Sequence, residues 1–120
     1  MSQNNIKEMV KLCCNALEDK KAIDLKVIDI SKVTAIADYF IIASGSNSNQ
    51  VQAMADNVDE TMGRAGYEAK QIEGYNSANW ILMDYNDIVV HVFDGENRKF
   101  YDLERIWRDG ELVDLTAMTE

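Results

Sequence analysis

The apolar positions near the start of the chain recur with the period of a helix. Within residues 1–20 they are spaced by four, three and four residues, which places their side chains on one face of an α-helix. Ser2 stands before this stripe, where its side chain can cap the first turn. We therefore predict a first helix that runs to about Lys20. The members of its buried stripe are Ile6, Val10, Cys13 and Leu17.

A second helical stripe follows the segment GSNSNQ (45–50). Asn47 can cap this helix, and Gln50 stands three residues later, as in a capping box. Gly63 and Gly66 offer a C-terminal stop for the same helix. The apolar side chains predicted on its buried face are Val51, Met54, Val58 and Met62.

Five other segments have the composition or the alternation of β-strands. DLKVIDIS is rich in β-branched residues, and DYFIIASG is apolar on both alternating faces, which is typical of a central strand buried on both sides. YEAKQIEG is more polar and is predicted to lie near an edge. NWILMDYND and IVVHVFD meet at Asn86-Asp87, a pair that favours a tight antiparallel turn. The five segments are residues 24–31, 38–45, 67–74, 79–87 and 88–94.

The end of the chain predicts one more helix and a tail. Asn97 can cap RKFYDLERIW (98–107), Gly110 would end that helix, and residues 111–120 form a polar tail. The predicted order is α-β-β-α-β-β-β-α. It describes a single domain over residues 1–120, an α/β fold of the α+β type with a mixed sheet of about five strands and helices packed on it.

Side chains in the two strongest strands divide between the faces of the sheet. Because side chains alternate along a strand, Trp80, Leu82 and Asp84 share one face, and His91 lies with Phe93 on one face of the next strand. His91, the only histidine, is either a core residue that makes one hydrogen bond or part of a half-exposed protein-binding patch. The opposite face is purely aliphatic and suits packing under helices. It consists of Ile88, Val90 and Val92.

The charge of the chain narrows the choice of partner. The 120 residues carry 21 acidic and 12 basic side chains, a net charge of −9. Such a chain is repelled by nucleic acid and gains nothing from anionic lipid, so neither is expected as the main contact. The charge serves solubility or attracts a basic protein. The start MSQNNIKEM lacks a signal-peptide pattern, and no apolar run approaches ~20 residues, so a cytoplasmic location is expected.

Catalytic chemistry finds little support in the sequence. Gly45-Ser46, between a strand and a helix, is a place where backbone amides can cradle a phosphate, as in polymerase-β-type nucleotidyltransferases. Those enzymes also need paired carboxylates for two magnesium ions, and no pair is suitably spaced here. One histidine and the adjacent Cys13 and Cys14 nearly exclude a structural zinc site. We therefore predict no catalytic residue, no metal and no cofactor.

Three blocks of the chain resemble, in order and spacing, the Iojap family of ribosomal silencing factors. The blocks are ADYFIIASGSNSNQVQAMADNV, then EG with NWILMDYNDIVVHVF, and then RKFYDLERIW. The most diagnostic patterns are W-x-L-x-D, D-I-V-V-H-V-F and R-x-F-Y-D-L-E-x-x-W, and the likeness covers about residues 25–109. It implies a fold related to nucleotidyltransferases without their catalytic carboxylates.

The resemblance also implies a function. Proteins of this family bind universal large-subunit ribosomal protein fourteen, on the intersubunit face of the large subunit, and sterically block joining of the small subunit. Translation then falls when nutrients are scarce. By this resemblance the partner-binding residues are Trp80, Leu82, Asp84, His91, Phe93, Arg98, Tyr101 and Glu104. The motifs alone do not separate the residues that touch the partner from those that build the core.

Two other functions stay open from the sequence alone. One is a nucleotide-binding or nucleotidyltransferase-like enzyme that uses Gly45-Ser46, and the other is an assembly factor for the large subunit. A homodimer through an edge strand or an aromatic patch is also compatible with the sequence.

Overall fold

A computed structural model describes residues 3–33, 35–94 and 111–112 of the chain. Two amphipathic helices and a mixed β-sheet form the fold, as the sequence predicts. Both predicted helices and all five predicted strands before residue 95 are confirmed. The elements are α1 (Gln3–Asp19), β1 (Ile23–Asp29), β2 (Tyr39–Gly45), α2 (Ser48–Arg64), β3 (Gln71–Glu73), β4 (Trp80–Asp84), β5 (Ile88–Asp94) and β6 (Glu111–Leu112).

Side chains supply the hydrogen-bond partners that the backbone N–H groups at the start of α2 lack. Asn47 has an extended backbone, and its side-chain oxygen accepts a hydrogen bond from the Gln50 amide at 2.8 Å. The Gln50 carboxamide oxygen accepts from the Ser46 amide, one residue earlier than a capping box requires. The Gln50 Nε2 donates to the carbonyls of Lys20 and Lys21, both at 3.0 Å. Gln50 therefore ties the start of α2 to the end of α1.

The sheet has the strand order β3-β4-β5-β2-β1-β6. The central pair β2 and β5 is parallel, and the other pairs are antiparallel, so the predicted mixed sheet is confirmed. The two central strands are buried at nearly every position, including side chains on both faces of the sheet. The polar strand β3 lies at one end of the order, as predicted, and all three of its residues are exposed.

Both helices pack on the same face of the sheet and bury the larger core. The stripes of α1 and α2 contact the aliphatic side chains of β4 and β5, and the prediction that Ile88, Val90 and Val92 lie under helices is confirmed. Burial of these side chains removes apolar surface from water, which is the main driving force for this packing. The sheet side chains in this core are Val27, Ile41, Ala43, Ile81, Met83, Ile88, Val90 and Val92.

The other face of the sheet carries a smaller apolar cluster, and no helix of the described segments packs on it. Trp80 and Leu82 lie at the border of this cluster and are partly buried. The buried part of the cluster includes two aromatic rings, and it extends from β1 to β5. Its members are Ile28, Ile30, Ala37, Phe40, Ile42, Val89 and Phe93. We call this side of the sheet the open face.

Two turns set the position of the β4–β5 hairpin. Asn86 has a φ of +69°, a left-handed conformation that asparagine tolerates, and it closes the predicted tight turn together with Asp87. On the other side of β4, Gly74 has a φ of +79°, and a Cβ at this position would lie 2.1 Å from the Trp80 carbonyl oxygen. Only glycine fits there without a backbone shift. The chain therefore enters β4, and places Trp80, through a tightly constrained loop.

The end of the chain brings one addition to the predicted order. Strand β6 pairs with the end of β1, Leu112 opposite Ile28 and Glu111 opposite Asp29. It lies at the start of the segment predicted as a polar tail. The predicted last helix (98–107) lies outside the described residues, and so do Arg98, Tyr101 and Glu104. Within the described part of the chain, neither helix is long and apolar enough to cross a membrane.

Candidate partner-binding surface

Three of the predicted partner-binding residues share the open face of β4. Trp80, Leu82 and Asp84 alternate with the buried Ile81 and Met83, and each of the three is half-buried. The confirmed alternation follows from the period of two in a strand. These side chains are partly accessible, and the strand that carries them is paired with a neighbouring strand on each side.

The antiparallel register places a buried side chain of β5 beside Trp80 and another beside Leu82. Trp80 is opposite Phe93, and Leu82 is opposite His91. Phe93 is fully buried, and His91 is 3% exposed. Trp80 and Leu82 are therefore the accessible members of these two cross-strand pairs, while Phe93 and His91 are buried beside them.

The Trp80 indole is fixed by stacking and by one hydrogen bond. Its ring stacks on Phe93 with a centroid distance of 5.3 Å and an interplanar angle of 24°. It also stacks on His91 at 5.8 Å, and the indole Nε1–H donates to His91 Nδ1 at 3.0 Å. Stacked aromatic rings contribute about 0.5–1.5 kcal/mol beyond their buried area. The indole is therefore held in one orientation before any partner binds.

His91 acts as a neutral acceptor in this arrangement. Burial lowers the pKa of His91 from 6.5 to about 4, so the ring is uncharged near neutral pH. Because Nδ1 accepts from Trp80, the proton of the neutral ring lies on Nε2. Among the described residues, Nε2 has no hydrogen-bond partner, and the ring of Phe40 contacts the imidazole edge-on at 4.5 Å. A neutral, buried imidazole with this environment positions Trp80 and does not carry charge.

The lowered pKa of His91 predicts a loss of stability in mild acid. The unfolded chain binds a proton at His91 below pH 6.5, whereas the folded protein binds it only near pH 4. Unfolding is therefore favoured as the pH falls through this window, by about 2 kcal/mol between pH 7 and pH 5. We expect urea unfolding to show this loss in the wild type and not in His91→Gln, which keeps an acceptor for Trp80. Equal losses in both proteins would contradict a buried neutral His91.

Asp84 supports the hairpin turn and adds charge to the open face. One of its carboxylate oxygens accepts a hydrogen bond from the Asn86 amide at 2.8 Å, which stabilises the turn. Strand β3 brings Gln71 opposite Asp84 and Glu73 opposite Leu82. Gln71 and Glu73 are not among the site residues predicted from the sequence, although the alternation of a polar edge strand paired with β4 places them on this face. The apolar centre of the surface is therefore flanked by two carboxylates, those of Asp84 and Glu73.

The segment around Gly45-Ser46 is arranged for packing between strand and helix. A Cβ on Gly45 would lie 2.9 Å from a methyl group of Val51, so glycine permits the close approach of α2 to the end of β2. The Ser46 and Gln50 amides, which could have cradled a phosphate, donate to side chains of the chain itself. The backbone geometry gives this glycine a structural role.

The two cysteines, the other candidate reactive groups, also have a structural role. Cys13 and Cys14 are buried in α1, and burial raises the pKa of both thiols, that of Cys14 to about 12. Both stay protonated near neutral pH and are poor nucleophiles. Across residues 3–33 and 35–94, no three His, Cys, Asp or Glu side chains are grouped closely enough to hold a metal ion.

The fold and the open face together define an α+β domain that carries aromatic and acidic side chains on one face of its sheet. The family model described as "Ribosomal silencing factor during starvation" matches residues 3–120. The ribosomal silencing factor RsfS of Bacillus subtilis (strain 168) is 39% identical over 111 residues, which are 92% of this chain and 94% of the relative. The chain therefore belongs to the ribosomal silencing factor family, and the resemblance to Iojap proteins is confirmed.

Two further similarities complete the comparison. A crystal structure of a Chromobacterium violaceum protein matches with a TM-score of 0.82 and 39% identity, over 85% of each chain. The mouse protein named "Mitochondrial assembly of ribosomal large subunit protein 1" is 26% identical over 117 residues, which cover 92% of this chain and 51% of that relative. Membership of the family gives the chain a ribosome-associated role in silencing, that is, in the regulation of translation.

Proposed function

We propose that this protein represses translation by binding the large ribosomal subunit and keeping the small subunit from joining it. The contact would be with universal large-subunit ribosomal protein fourteen, in the cytoplasm, and would lower translation when nutrients are limiting. Family membership supports the ribosomal role. The observation that carries the proposed site is the half-exposed Trp80 of the open face, which stacks on Phe93 and donates a hydrogen bond to His91.

The geometry of Trp80 suits an anchor at a protein interface. Tryptophan is enriched among the residues that dominate binding energy, because a large ring buries much apolar area and loses few rotamers. Here the ring is already fixed, so binding costs little additional side-chain entropy. Leu82 extends the apolar centre, while Asp84 and Glu73 provide a charged rim. His91 and Phe93 contribute by holding Trp80.

The proposed mode of action is steric and needs no catalysis. A protein that occupies the joining surface of the large subunit blocks its partner by excluded volume alone. The side-chain caps at Ser46 and Gln50 and the protonated, buried thiols support this interpretation. Nucleotide hydrolysis or transfer by the purified protein, lost in Ser46→Ala, would contradict it.

Direct binding is the first test of the proposal. Purified large subunits should retain the protein in co-sedimentation, and isolated protein fourteen should bind it with a ratio of one to one. Binding to subunits without binding to protein fourteen would contradict the proposed partner. The absence of binding to either would contradict the proposed function.

Charge on the open face should speed association with a basic partner. We expect Asp84→Lys to slow association at low salt, because charges at the rim of an interface act mainly on the association rate. The effect should shrink as added salt shortens the Debye length, which is about 10 Å at 0.1 M. Stopped-flow or surface-based kinetics would measure both rates.

Two controls separate local charge from other effects of this change. Asp19→Lys makes the same change in net charge at an exposed position of α1, on the other side of the sheet. Asp84→Asn removes the charge and keeps an acceptor for the Asn86 amide. A rate that falls equally in Asp84→Lys and Asp19→Lys would show that only the total charge matters and that the open face has no electrostatic role.

A role in assembly of the large subunit is the second candidate function. It is favoured by the name of the mouse relative, which refers to mitochondrial assembly of the large subunit. Binding to purified precursor particles in preference to mature subunits would support assembly over silencing. A homodimer, which the sequence also allows, stays a prediction.

A further inference from the structure

A second surface lies on the helix-covered side of the sheet, at the outer strand β3. There a groove of about 260 Å³ separates α2 from β3 and the loop that follows it. Ile72 of β3 and Met83 of β4 form a cross-strand pair that lines the groove, and Met83 alternates along β4 with Leu82 and Asp84 of the open face. The open face and the groove are therefore on opposite sides of the sheet. The residues that line the groove are Ala55, Asp56, Asp59, Ile72, Tyr75 and Met83.

The groove exposes two large apolar side chains beside each other. Ile72 is 40% exposed and Tyr75 is 37% exposed, although Met83 beneath them is fully buried. Single exposed apolar side chains are common on protein surfaces, whereas a pair that lines a concave site is typical of binding surfaces. A ligand that covered both side chains would gain the free energy of their burial.

Two hydrogen bonds connect the walls of the groove and fix their relative position. The Tyr75 hydroxyl donates to Asp56 Oδ2 at 3.0 Å, and this bond raises the pKa of Tyr75. The Gln52 Nε2 donates to the Tyr75 carbonyl at 2.9 Å. Both bonds connect α2 to the loop after β3, so the groove is formed before any ligand binds.

The charge in the groove is negative. Asp56 and Asp59 lie one turn apart on α2 and are both exposed. Asp59 has no ion-pair partner in the described part of the chain, whereas the neighbouring Glu60 is paired with Arg64 at 2.7 Å. An arginine side chain has an apolar stem and a planar cation. The stem can pack on the aromatic ring and the aliphatic side chain, and the cation can pair with the aspartates.

Strand β3 could also bind the backbone of the partner segment that carries such an arginine. It is the last strand in the sheet order, and its only strand partner within the described residues is β4. An outer strand can accept an extended segment of another protein through backbone hydrogen bonds. The strand is short and ends at the acidic Glu73, and both features favour a basic segment over self-association.

We propose that this groove binds an arginine side chain presented by an extended, basic segment of a protein partner. The arginine stem would pack on Ile72 and the Tyr75 ring, and the guanidinium would meet Asp59, with Asp56 held nearby by Tyr75. This site does not depend on the function proposed for the open face. Since the two surfaces lie on opposite sides of the sheet, both can be occupied at the same time.

The test is an NMR titration of the ¹⁵N-labelled protein with three blocked tripeptides, Val-Arg-Val, Val-Lys-Val and Val-Gln-Val. We expect the arginine peptide to bind most tightly, with amide shifts concentrated at Asp56, Asp59, Ile72 and Tyr75. Shifts spread over all acidic parts of the surface, or equal binding of the three peptides, would overturn the proposal.

Matched variants make the same experiment specific for the groove. Asp59→Asn should weaken binding of the arginine peptide at least fivefold, whereas Glu60→Gln, which removes an adjacent charge outside the groove, should leave it unchanged. Both positions are exposed, and an unchanged pattern of dispersed amide signals would verify the fold. Binding should also persist in Trp80→Ala, whether or not that variant still binds ribosomes. Equal weakening in Asp59→Asn and Glu60→Gln would overturn the proposed site.

Discussion

Trp80→Ala is expected to weaken binding to the large subunit by about thirtyfold or more. A central aromatic residue of an interface typically contributes about 2 kcal/mol or more when truncated to alanine. The loss should be large here because the free protein already holds the indole in one orientation through Phe93 and His91. Titration of labelled protein with purified large subunits would measure the change in Kd.

The stability of the same variant must be measured beside its affinity. Trp80 is half-buried, so its truncation should cost less free energy of unfolding than the ~3–5 kcal/mol typical of a fully buried tryptophan. Trp80→Phe keeps an aromatic ring and removes the Nε1–H that His91 accepts, and it should bind with intermediate affinity. Wild-type affinity in a folded Trp80→Ala would place the interface elsewhere on the protein.

Phe93→Ala is expected to cost about 3–5 kcal/mol in the free energy of unfolding, which is the typical loss for a buried aromatic residue. Phe93 is fully buried, and it supports the Trp80 ring from below at a centroid distance of 5.3 Å. Its removal should create a cavity beneath the open face and release the indole. Urea unfolding at neutral pH would measure the loss.

A matched substitution tests the reason for this loss. Phe93→Leu keeps most of the apolar volume and should be destabilised much less than Phe93→Ala. If Phe93→Ala were as stable as the wild type and bound ribosomes more weakly, Phe93 would be a contact residue, as the family pattern allows, and its role beneath Trp80 would be wrong.

The faces of the sheet could be predicted from the sequence because they depend on local periodicity. Trp80, Leu82 and Asp84 alternate with Ile81 and Met83, and this alternation alone separates the open face from the face under the helices. The apolar stripe of α2 and the Asn47 cap could also be predicted from the sequence, since each depends on residues within one or two helical turns. Local patterns therefore predicted most of the framework.

The depth of each side chain could not be predicted in the same way. His91 and Phe93 share a face with Trp80, yet they are buried and Trp80 is not, because β5 is central and β4 lies nearer the edge. Burial of this kind depends on the order of strands in the sheet, which comes from contacts distant in sequence. The hydrogen bond from Trp80 to His91 depends on the register between the strands for the same reason.

Strand β6 could not be predicted either, because it also depends on contacts distant in sequence. Glu111 and Leu112 have no strand pattern of their own, and they pair with the end of β1 through contacts with residues more than eighty positions earlier. The groove at β3 is another example, since Asp56 and Tyr75 meet only after α2 packs beside the loop. Neither feature has a signal in local sequence.

The most direct test of the central claim is sedimentation of ribosomal subunits mixed under conditions that favour joining. Wild-type protein added to the large subunit before the small subunit should keep the two subunits in separate peaks. Trp80→Ala, at a concentration where the wild type is fully effective, should leave them joined, while Asp59→Asn should still keep them apart. Joined subunits in the presence of the wild-type protein, or separate subunits with a folded Trp80→Ala, would contradict the proposal that the open face blocks subunit joining.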